Sequence, residues 1–256
     1  MRIYGSVFTL TIFFAAITLG LTSMAWSGSA NQSDGPQEAK QREMPPADDV
    51  PLLDLKQAEK SAPEQLKGRK RGQSLYQHRQ IAELPPGAEP LPANVHFWLR
   101  MPALPIEESN AVVRGKVIDR RAVLMEDKLG IYSEFSIKIS EIFKDDLNGF
   151  FIDQVITVSR PGGAVRYPSG KVQKYTIAGE GFPQQDKAYF LFLKRDELGD
   201  YSILTGYELG NVVQPLEGKR DLPKNEPDTQ FGIYRGVSLE TFRNALQKVL
   251  QQANGG

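Results

Sequence analysis

The amino-acid sequence predicts a mainly β protein, in which a small, partly open β-barrel of five to six strands follows a disordered linker and ends in an α-helix. Short apolar runs alternate with polar residues between positions 111 and 213, as expected of strands that bury one face. Turn signals rich in glycine and proline separate the runs, and an apolar stripe at helical spacing follows them. Such a set of short strands fits a small barrel.

The first two predicted strands are the longest. Residues 111–118 alternate enough for a half-buried strand, in which Gly115 marks a bend or the close approach of another backbone. In residues 131–143 the apolar positions share one face up to Ile139 and then slip in phase to Ile142. A slip of this kind predicts a β-bulge, which curls a sheet.

The later strands are shorter and lie at 155–158, 171–177, 188–193, 201–205 and 211–213. The run 188–193 has no polar alternation, which predicts a central strand covered on both faces. The sequence Pro161-Gly162-Gly163 predicts a turn, and Leu198-Gly199-Asp200 predicts a hairpin.

A C-terminal helix is predicted to begin after Ser238, which is a suitable N-cap, with Glu240 in the first turn. Its apolar stripe consists of Leu239, Phe242, Leu246, Val249 and Leu250. We expect this stripe to pack on the domain; a stripe offered to a partner is the alternative.

Residues 1–30 are predicted to be a signal peptide or a signal anchor. Arg2 precedes an apolar run at 7–21, and small residues follow this run at two places where a signal peptidase would cleave. The run with its flanks is also long enough to cross a bilayer without cleavage. Both interpretations predict an extracytoplasmic protein, periplasmic, secreted or membrane-anchored, and membrane contact through residues 1–30 alone if they are not cleaved.

Residues 31–95 are predicted to be a disordered linker, followed by the folded domain at 96–256. The linker contains more than half of the chain's 17 prolines and few aromatic residues, so it cannot bury enough apolar surface to offset its conformational entropy. The apolar group 52–55 is expected to form a transient helix or to dock on a partner. The basic cluster 67–71 either contacts an anionic surface or is a solvated charge run.

Composition excludes several classes of function. Basic and acidic residues both number 31, and a nucleic-acid binder would have a basic excess. The absence of cysteine removes disulfides, thiolate metal sites and cysteine nucleophiles. His78 and His96 lie outside the periodic region, and no catalytic or phosphate-binding motif is present. The sequence therefore predicts no enzyme, no cofactor, no metal and no nucleic-acid partner.

The order and the residue composition of the predicted strands resemble those of a known family. The order AVVRGKV, YSEFSIKISEIFK, VITVSRPGG and AYFLFLK followed by YSILTG is similar to the OB-fold barrels of the netrin-like class, to which the tissue inhibitors of metalloproteinases and many bacterial exported modules belong. The resemblance covers residues 111–210 and implies an OB-like barrel. The animal inhibitors use an N-terminal cysteine that this chain lacks, so the inhibitory mechanism is not implied.

Two loops are the predicted binding sites. Residues 160–170 combine Arg160, Arg166 and Tyr167 with glycines that expose backbone, and arginine and tyrosine are common at binding hot spots. The second loop, 178–183, contains Glu180 and Phe182. The simpler interpretation makes both loops ordinary connections between strands.

Three functions remain open from the sequence. The leading hypothesis is a non-enzymatic envelope or secreted binding module that recognises an envelope protein or a cell-surface polymer. The second is a secreted hydrolase inhibitor that inserts a protruding 160–170 loop. The third is a hydrolase with two carboxylates converging in one concave pocket, as glycoside hydrolysis requires.

Overall fold

The structure is a computed structural model that describes residues 50–58, 81–88, 101–125, 130–177, 179–218 and 230–254. The predicted signal segment and most of the predicted linker lie outside these ranges. The described strands are β1 (Leu52–Asp54), β2 (Ala111–Leu124), β3 (Ile131–Asp145), β4 (Val155–Pro161), β5 (Gly163–Arg166), β6 (Val172–Tyr175), β7 (Ala188–Arg195), β8 (Tyr201–Leu209) and β9 (Val213–Pro215). The described helices are α1 (Leu55–Ala58), a 3-10 helix (Gln230–Tyr234) and α2 (Leu239–Asn254).

The larger sheet contains six strands in the order β4-β3-β2-β7-β8-β9. Strand β4 also pairs with β8 in parallel, through Val158 with Tyr201 and Ser159 with Ser202. This pairing joins the two ends of a five-stranded run, so the sheet curls into a partial ring and β9 extends it. The prediction of a mainly β, partly open barrel with a C-terminal helix is confirmed.

Bulges in β3 supply the curvature. Val113 pairs with Ile142, and Gly115 pairs with Ile139, so the register shifts where the apolar phase slips in the sequence. A Cβ atom on Gly115 would lie 2.5 Å from Cγ2 of Ile137, because β3 crosses β2 closely there. Both sequence predictions for this strand pair are confirmed.

Strand β7 is the centre of the larger sheet. It pairs with β2 on one side and β8 on the other, and five consecutive residues from Tyr189 to Leu193 are buried. The run 188–193 lacks polar alternation because the strand is central and both of its faces are covered, as predicted. The hairpin that follows is also confirmed, since the Asp196 amide donates to the Asp200 carbonyl at 2.8 Å.

The smaller sheet has the order β1-β5-β6. The chain passes from one sheet to the other at Gly162, where φ is +95° and a Cβ would lie 2.7 Å from the Tyr175 carbonyl oxygen. Strand β1 comes from within the predicted linker and pairs in parallel with β5. Val50 and Leu52 pack into the barrel core. The apolar group 52–55 therefore packs on its own domain, where its first three residues form β1 and Leu55 begins α1.

Helix α2 covers the outer face of the barrel sheet. Phe242 stacks on Phe190, with ring centroids 5.1 Å apart, and lies against Tyr207. Ser238 caps the helix, because its Oγ accepts a hydrogen bond from the Thr241 amide at 3.1 Å. The apolar stripe therefore packs on the domain as predicted. Among the described residues, no helix has the length and apolar content needed to span a bilayer.

Candidate functional site

A charged cluster lies inside the core beside the end of β4. Arg160 contacts Glu180, which follows β6, with Nε and Oε2 3.4 Å apart, and it also forms an ion pair with Glu217, which follows β9. We call these three residues the buried triad. The Arg160 and Glu217 side chains are each 1% exposed and that of Glu180 is 0% exposed. The triad therefore joins β4 to the segments after the last strand of each sheet.

The electrostatics of the triad depend on burial and on mutual pairing. Desolvation opposes the charge of Arg160, but Glu217 and Glu180 together hold the pKa of its guanidinium above the usual value. Burial raises the pKa of the Glu180 carboxyl to about 7, with Arg160 opposing the shift and Glu217 reinforcing it. Glu217 also accepts a hydrogen bond from Thr205 Oγ1 at 2.5 Å. The cluster is thus a cation held between two carboxylates in unequal environments.

Two polar atoms of the triad have no hydrogen-bond partner among the described residues. They are Nη1 of Arg160 and Oε1 of Glu180, and both are buried. Most buried polar atoms in folded proteins are paired, so an unpaired donor and acceptor in one cluster require an explanation. Of the two residues, Glu180 also lines the neighbouring cavity.

That cavity is a cleft of about 350 Å³. It lies between β6 and β9, each the last strand of its sheet. Its lining residues are Val50, Lys174, Thr176, Gly179, Glu180, Gly181, Phe182, Gln184, Glu208, Gln214, Pro215, Leu216, Glu217, Gly218 and Arg235. Glu180 and Glu217 of the triad are among them, although their side chains are at most 1% exposed.

The rim of the cleft carries both signs of charge. Glu208 is half-buried and pairs with Lys187 at 3.0 Å. Lys174 is half-buried, and Arg235 is exposed and donates to the Glu217 carbonyl oxygen at 3.4 Å. The half-buried residues Gln184 and Gln214 also belong to the lining. The rim therefore offers donors and acceptors to a polar ligand.

The structure brings three of the five predicted site residues together. Arg160, Glu180 and Phe182 meet at or beneath the cleft, although they come from two different predicted loops. The other two lie at the smaller sheet. Arg166 Nη1 is 3.4 Å from Oδ2 of Asp54 in β1, and the Tyr167 hydroxyl is 2.7 Å from that of Tyr175.

The expectation that these residues are displayed on surface loops is wrong. Arg160, Tyr167, Glu180 and Phe182 are buried, and of the five only Arg166 has a substantially exposed side chain. The 160–170 region is mostly strand, because it contains the end of β4 and all of β5. Burial raises the pKa of the Tyr167 hydroxyl, aided by Tyr175. Whether any of the five binds a ligand stays a prediction.

Sequence reasoning missed Glu217. This residue lies 57 positions from Arg160 and follows a strand of three residues. A buried arginine requires acidic partners, yet the sequence offers many glutamates and no periodicity around position 217. The one usable signal was the short apolar pair Val212-Val213, which marks the strand but not its charged neighbour.

Among the described residues, no group of three or more histidine, cysteine, aspartate or glutamate side chains is arranged to hold a metal ion. No protein-family model matches the chain, and neither the curated proteins nor the solved structures contain a match to it.

Proposed function

We propose that the chain is a non-enzymatic binding module of the cell envelope or the secreted fraction, and that it takes an extended polar segment of a partner protein in the cleft. The observation that carries the proposal is the position of the cleft between the last strands of two sheets, above a floor fixed by the buried triad. The edge strand of a sheet can accept an added extended chain through main-chain hydrogen bonds. In β9 the Val213 amide and carbonyl already bond to Val237 and Gly236 and Pro215 has no amide hydrogen, so β6 is the edge proposed to receive the segment.

The lining supports a peptide as the ligand. Phe182, Pro215 and Leu216 supply apolar surface, while the rim supplies side chains of both charges. An extended peptide places successive side chains on opposite faces and has a backbone with donors and acceptors, so a segment with apolar residues on one face and polar residues on the other matches both parts. The volume of about 350 Å³ lies at the lower end of ligand sites in proteins, which is suitable for two or three residues of an extended chain.

The burial of the carboxylates favours binding over catalysis. Both glutamates pair with the same guanidinium, and their side chains are at most 1% exposed. A general acid or nucleophile must come within hydrogen-bond reach of its substrate, and these groups are covered. In this proposal the triad has a structural role, because its ion pairs hold β4 and the segments after β6 and β9 together.

A carboxylate-dependent hydrolase is the second candidate, favoured by one observation. Two acids converge at one concave site, and the Glu180 carboxyl has a pKa of about 7, suitable for a general acid. Purified protein should then release sugar or peptide products from cell-wall polymers, and Glu180→Gln and Glu217→Gln should each abolish the release. The hydrolase-inhibitor alternative has no protruding 160–170 loop to support it, because the described residues there are mostly buried strand.

The binding proposal is tested by crosslinking in intact cells followed by recovery of the chain. We compare the wild type with Lys174→Glu and Arg235→Glu, which reverse charges at the rim. Lys248→Glu is the matched control, because Lys248 is an exposed residue of α2 and does not line the cleft. Arg235 and Lys248 are exposed, and exposed substitutions change stability by about 0.5 kcal/mol or less. Lys174 is half-buried, so thermal unfolding of all three variants is measured to show that each is folded in the assay.

A protein partner that is recovered with the wild type and the control, and lost with both rim variants, is the expected result. A synthetic peptide from that partner should then bind at least about tenfold more weakly to the rim variants, a difference of about 1.4 kcal/mol. The same partners recovered from every variant would overturn the cleft as the site. Recovery of a polysaccharide would replace the peptide with a surface polymer.

A further inference from the structure

A surface segment packs on the face of the smaller sheet that is turned away from the barrel core. We call this segment, residues 81–88, the strap, and it comes from the region predicted to be a disordered linker. Ile81 is half-buried and packs against Leu53 and Leu55, in a cluster that also contains Val165 of β5. The neighbouring residues in β1 and β5 contribute to the barrel core instead. The strap and the barrel therefore lie on opposite faces of this sheet.

Side chains from β6 and from the position before it hold the backbone of the strap. Lys171 Nζ donates to the carbonyl oxygens of Leu84 at 2.8 Å and Pro85 at 2.9 Å. In the amide orientation that satisfies its neighbours, Gln173 donates to the Ala82 carbonyl oxygen at 3.2 Å and accepts from the Leu84 amide at 2.8 Å. Lys171 and Gln173 are two positions apart, so both reach the strap from one face of the strand.

The strap is attached to the domain through side chains. Within the part of the chain that the structure describes, its backbone-to-backbone hydrogen bond is internal, from the Ala88 amide to the Pro85 carbonyl oxygen at 3.1 Å. One more contact joins Ser169 Oγ to the carboxylate of the exposed residue Glu83 at 2.5 Å. A surface segment held by a few side-chain bonds opens at a lower free energy than a strand within a sheet. The strap can therefore leave the sheet while the barrel stays folded.

The opposite face of β6 belongs to the cleft. Lys174 and Thr176 line the cleft, and they alternate along the chain with Gln173 and Tyr175, which face the strap. Val50, two residues before β1, lines the cleft as well. The strap and the cleft thus contact the smaller sheet from its two sides, and the strand nearest to both is β6.

Strand β6 has little other support. Among the described residues it pairs with β5, over four residues, and its other edge is the one proposed to receive the peptide. A sheet of three short strands is marginally stable unless its faces are packed. An edge that is already ordered costs a ligand less conformational entropy than one that the ligand itself must order. Packing by the strap therefore favours binding in the cleft.

We propose that the strap regulates the cleft. The docked strap holds β6 in the position that the partner's segment requires, and release of the strap lowers the affinity of the cleft for that segment. This inference rests on the proposed function, because it concerns the same cleft and the same peptide. Coupling between two sites is reciprocal, so the bound peptide also holds the strap in place. Capture of the strap by another molecule would release the peptide.

The first measurement is amide hydrogen exchange in the full-length protein without a peptide. Ile81→Asp places a charge in the cluster beneath the strap, and Glu83→Ala removes the contact with Ser169. Leu198→Asp is the matched control, because Leu198 is an exposed apolar residue in the hairpin between β7 and β8. Exchange is followed in β6, in residues 179–182 at the cleft, and in β7, which reports on the global fold.

Exchange in β6 and at 179–182 should be about tenfold faster in Ile81→Asp and several-fold faster in Glu83→Ala, while β7 exchanges at the wild-type rate. Leu198→Asp should leave all three regions unchanged. If Ile81→Asp also accelerates exchange in β7, Glu83→Ala is the deciding variant, because its exposed side chain lies outside the core. Exchange in β6 at the wild-type rate in Glu83→Ala would overturn the proposal.

The second measurement uses a synthetic peptide from the protein recovered with the wild type in the crosslinking experiment. The peptide should bind Ile81→Asp about tenfold more weakly than the wild type and Leu198→Asp equally well. It should also slow exchange of the Leu84 amide in the wild type, as reciprocity requires. Equal affinity for Ile81→Asp and the wild type would overturn the regulation and leave the function of the cleft intact. Full affinity in the rim variants, or no partner recovered with the wild type, would overturn the proposed function and the regulation with it.

Discussion

Strand β4 is preceded by the connection from β3 at 147–155, the apolar loop, and continues through the turn at Gly162 into β5, and the large side chains on its two sides lie in opposite surroundings. Arg160 at the end of β4 and Tyr167 just after β5 are buried, and they bond to Glu217, 57 positions along the chain, and to Tyr175 in β6. Before the strand, Phe151 and Ile152 project into solvent although they are apolar. The region rich in charged and polar residues is the interior one, and the region rich in hydrophobic residues is the surface one.

The comparison shows that composition alone does not decide which connection meets solvent. The segment 160–167 carries the chain from one sheet to the other, and its buried side chains, Arg160 and Tyr167, need partners inside the protein. A connection between two adjacent antiparallel strands, such as that from β3 to β4, leaves the sheet at the ends of the two strands. Its side chains remain free for another molecule, which makes an apolar composition there informative about function.

The largest expected effect is that of Arg160→Ala. This substitution leaves the Glu180 and Glu217 carboxylates buried without their cation, and the free energy of unfolding should fall by about 3–5 kcal/mol. Urea denaturation measures the change. Arg166→Ala is the control six positions along the chain; its partly exposed pair with Asp54 should contribute at most about 1 kcal/mol. Equal effects of the two variants would remove the contrast between buried and exposed arginines.

Glu180 should make stability depend on pH. Its carboxyl pKa is raised from 4.5 to about 7, so between these values the folded protein holds more protons than the unfolded chain. This contribution to stability is fully present below pH 4.5 and is lost as the pH rises through 7. The stability of the wild type relative to Glu180→Gln should therefore fall by about 2–3 kcal/mol over this range. A constant difference across the range would show that the carboxyl titrates normally.

Tyr167→Phe tests the buried hydrogen bond between the hydroxyls of Tyr167 and Tyr175. The substitution removes the hydroxyl that is 2.7 Å from that of Tyr175 but keeps the ring, and the Tyr175 hydroxyl retains Gln173 as a partner. The free energy of unfolding should fall by about 1 kcal/mol. Thermal unfolding followed by circular dichroism measures this change, and a loss as large as that for Arg160→Ala would mean that the ring moves as well.

The smallest effect is expected in the apolar loop. Phe151→Ala removes an exposed ring, and the free energy of unfolding should change by at most about 0.5 kcal/mol. Phe182→Ala is the matched substitution at a buried ring and should cost about 3–5 kcal/mol. If Phe151→Ala proved equally destabilising in denaturant titrations, the exposed phenylalanine would belong to the fold and would not be available to a partner.

The strands and the helix of the barrel were predictable from the sequence because the patterns that specify them involve residues that are close together in the chain. The phase slip before Ile142, the lack of polar residues at 188–193 and the Ser238 cap each involve near neighbours, and each appears in the structure at the predicted place. Strand β1 was not predictable as a strand. Its three residues pair with a segment more than a hundred positions away, and no local pattern encodes that contact.

The candidate site was predictable only in part, because its geometry is non-local. Glycines and charges drew attention to Arg160 and Glu180, but the pairing between them depends on how the two sheets meet. The third member, Glu217, has no sequence signal. The sequence analysis did not single out the apolar run Phe150-Phe151-Ile152, and nothing in that run distinguishes an exposed loop from a buried one before the register of β3 and β4 is known.

The pairing of β1 with β5 also sets an order of events during synthesis. Asp54 precedes its partner Arg166 by 112 residues, so the ribosome releases β1 roughly 6 to 22 s before its partner strand exists, at ordinary rates of elongation. During that interval β1 is an unpaired strand with an exposed edge. Its length of three residues leaves few groups on which another chain can form a ladder. The smaller sheet thus receives its first strand only after the chain has been made as far as β5.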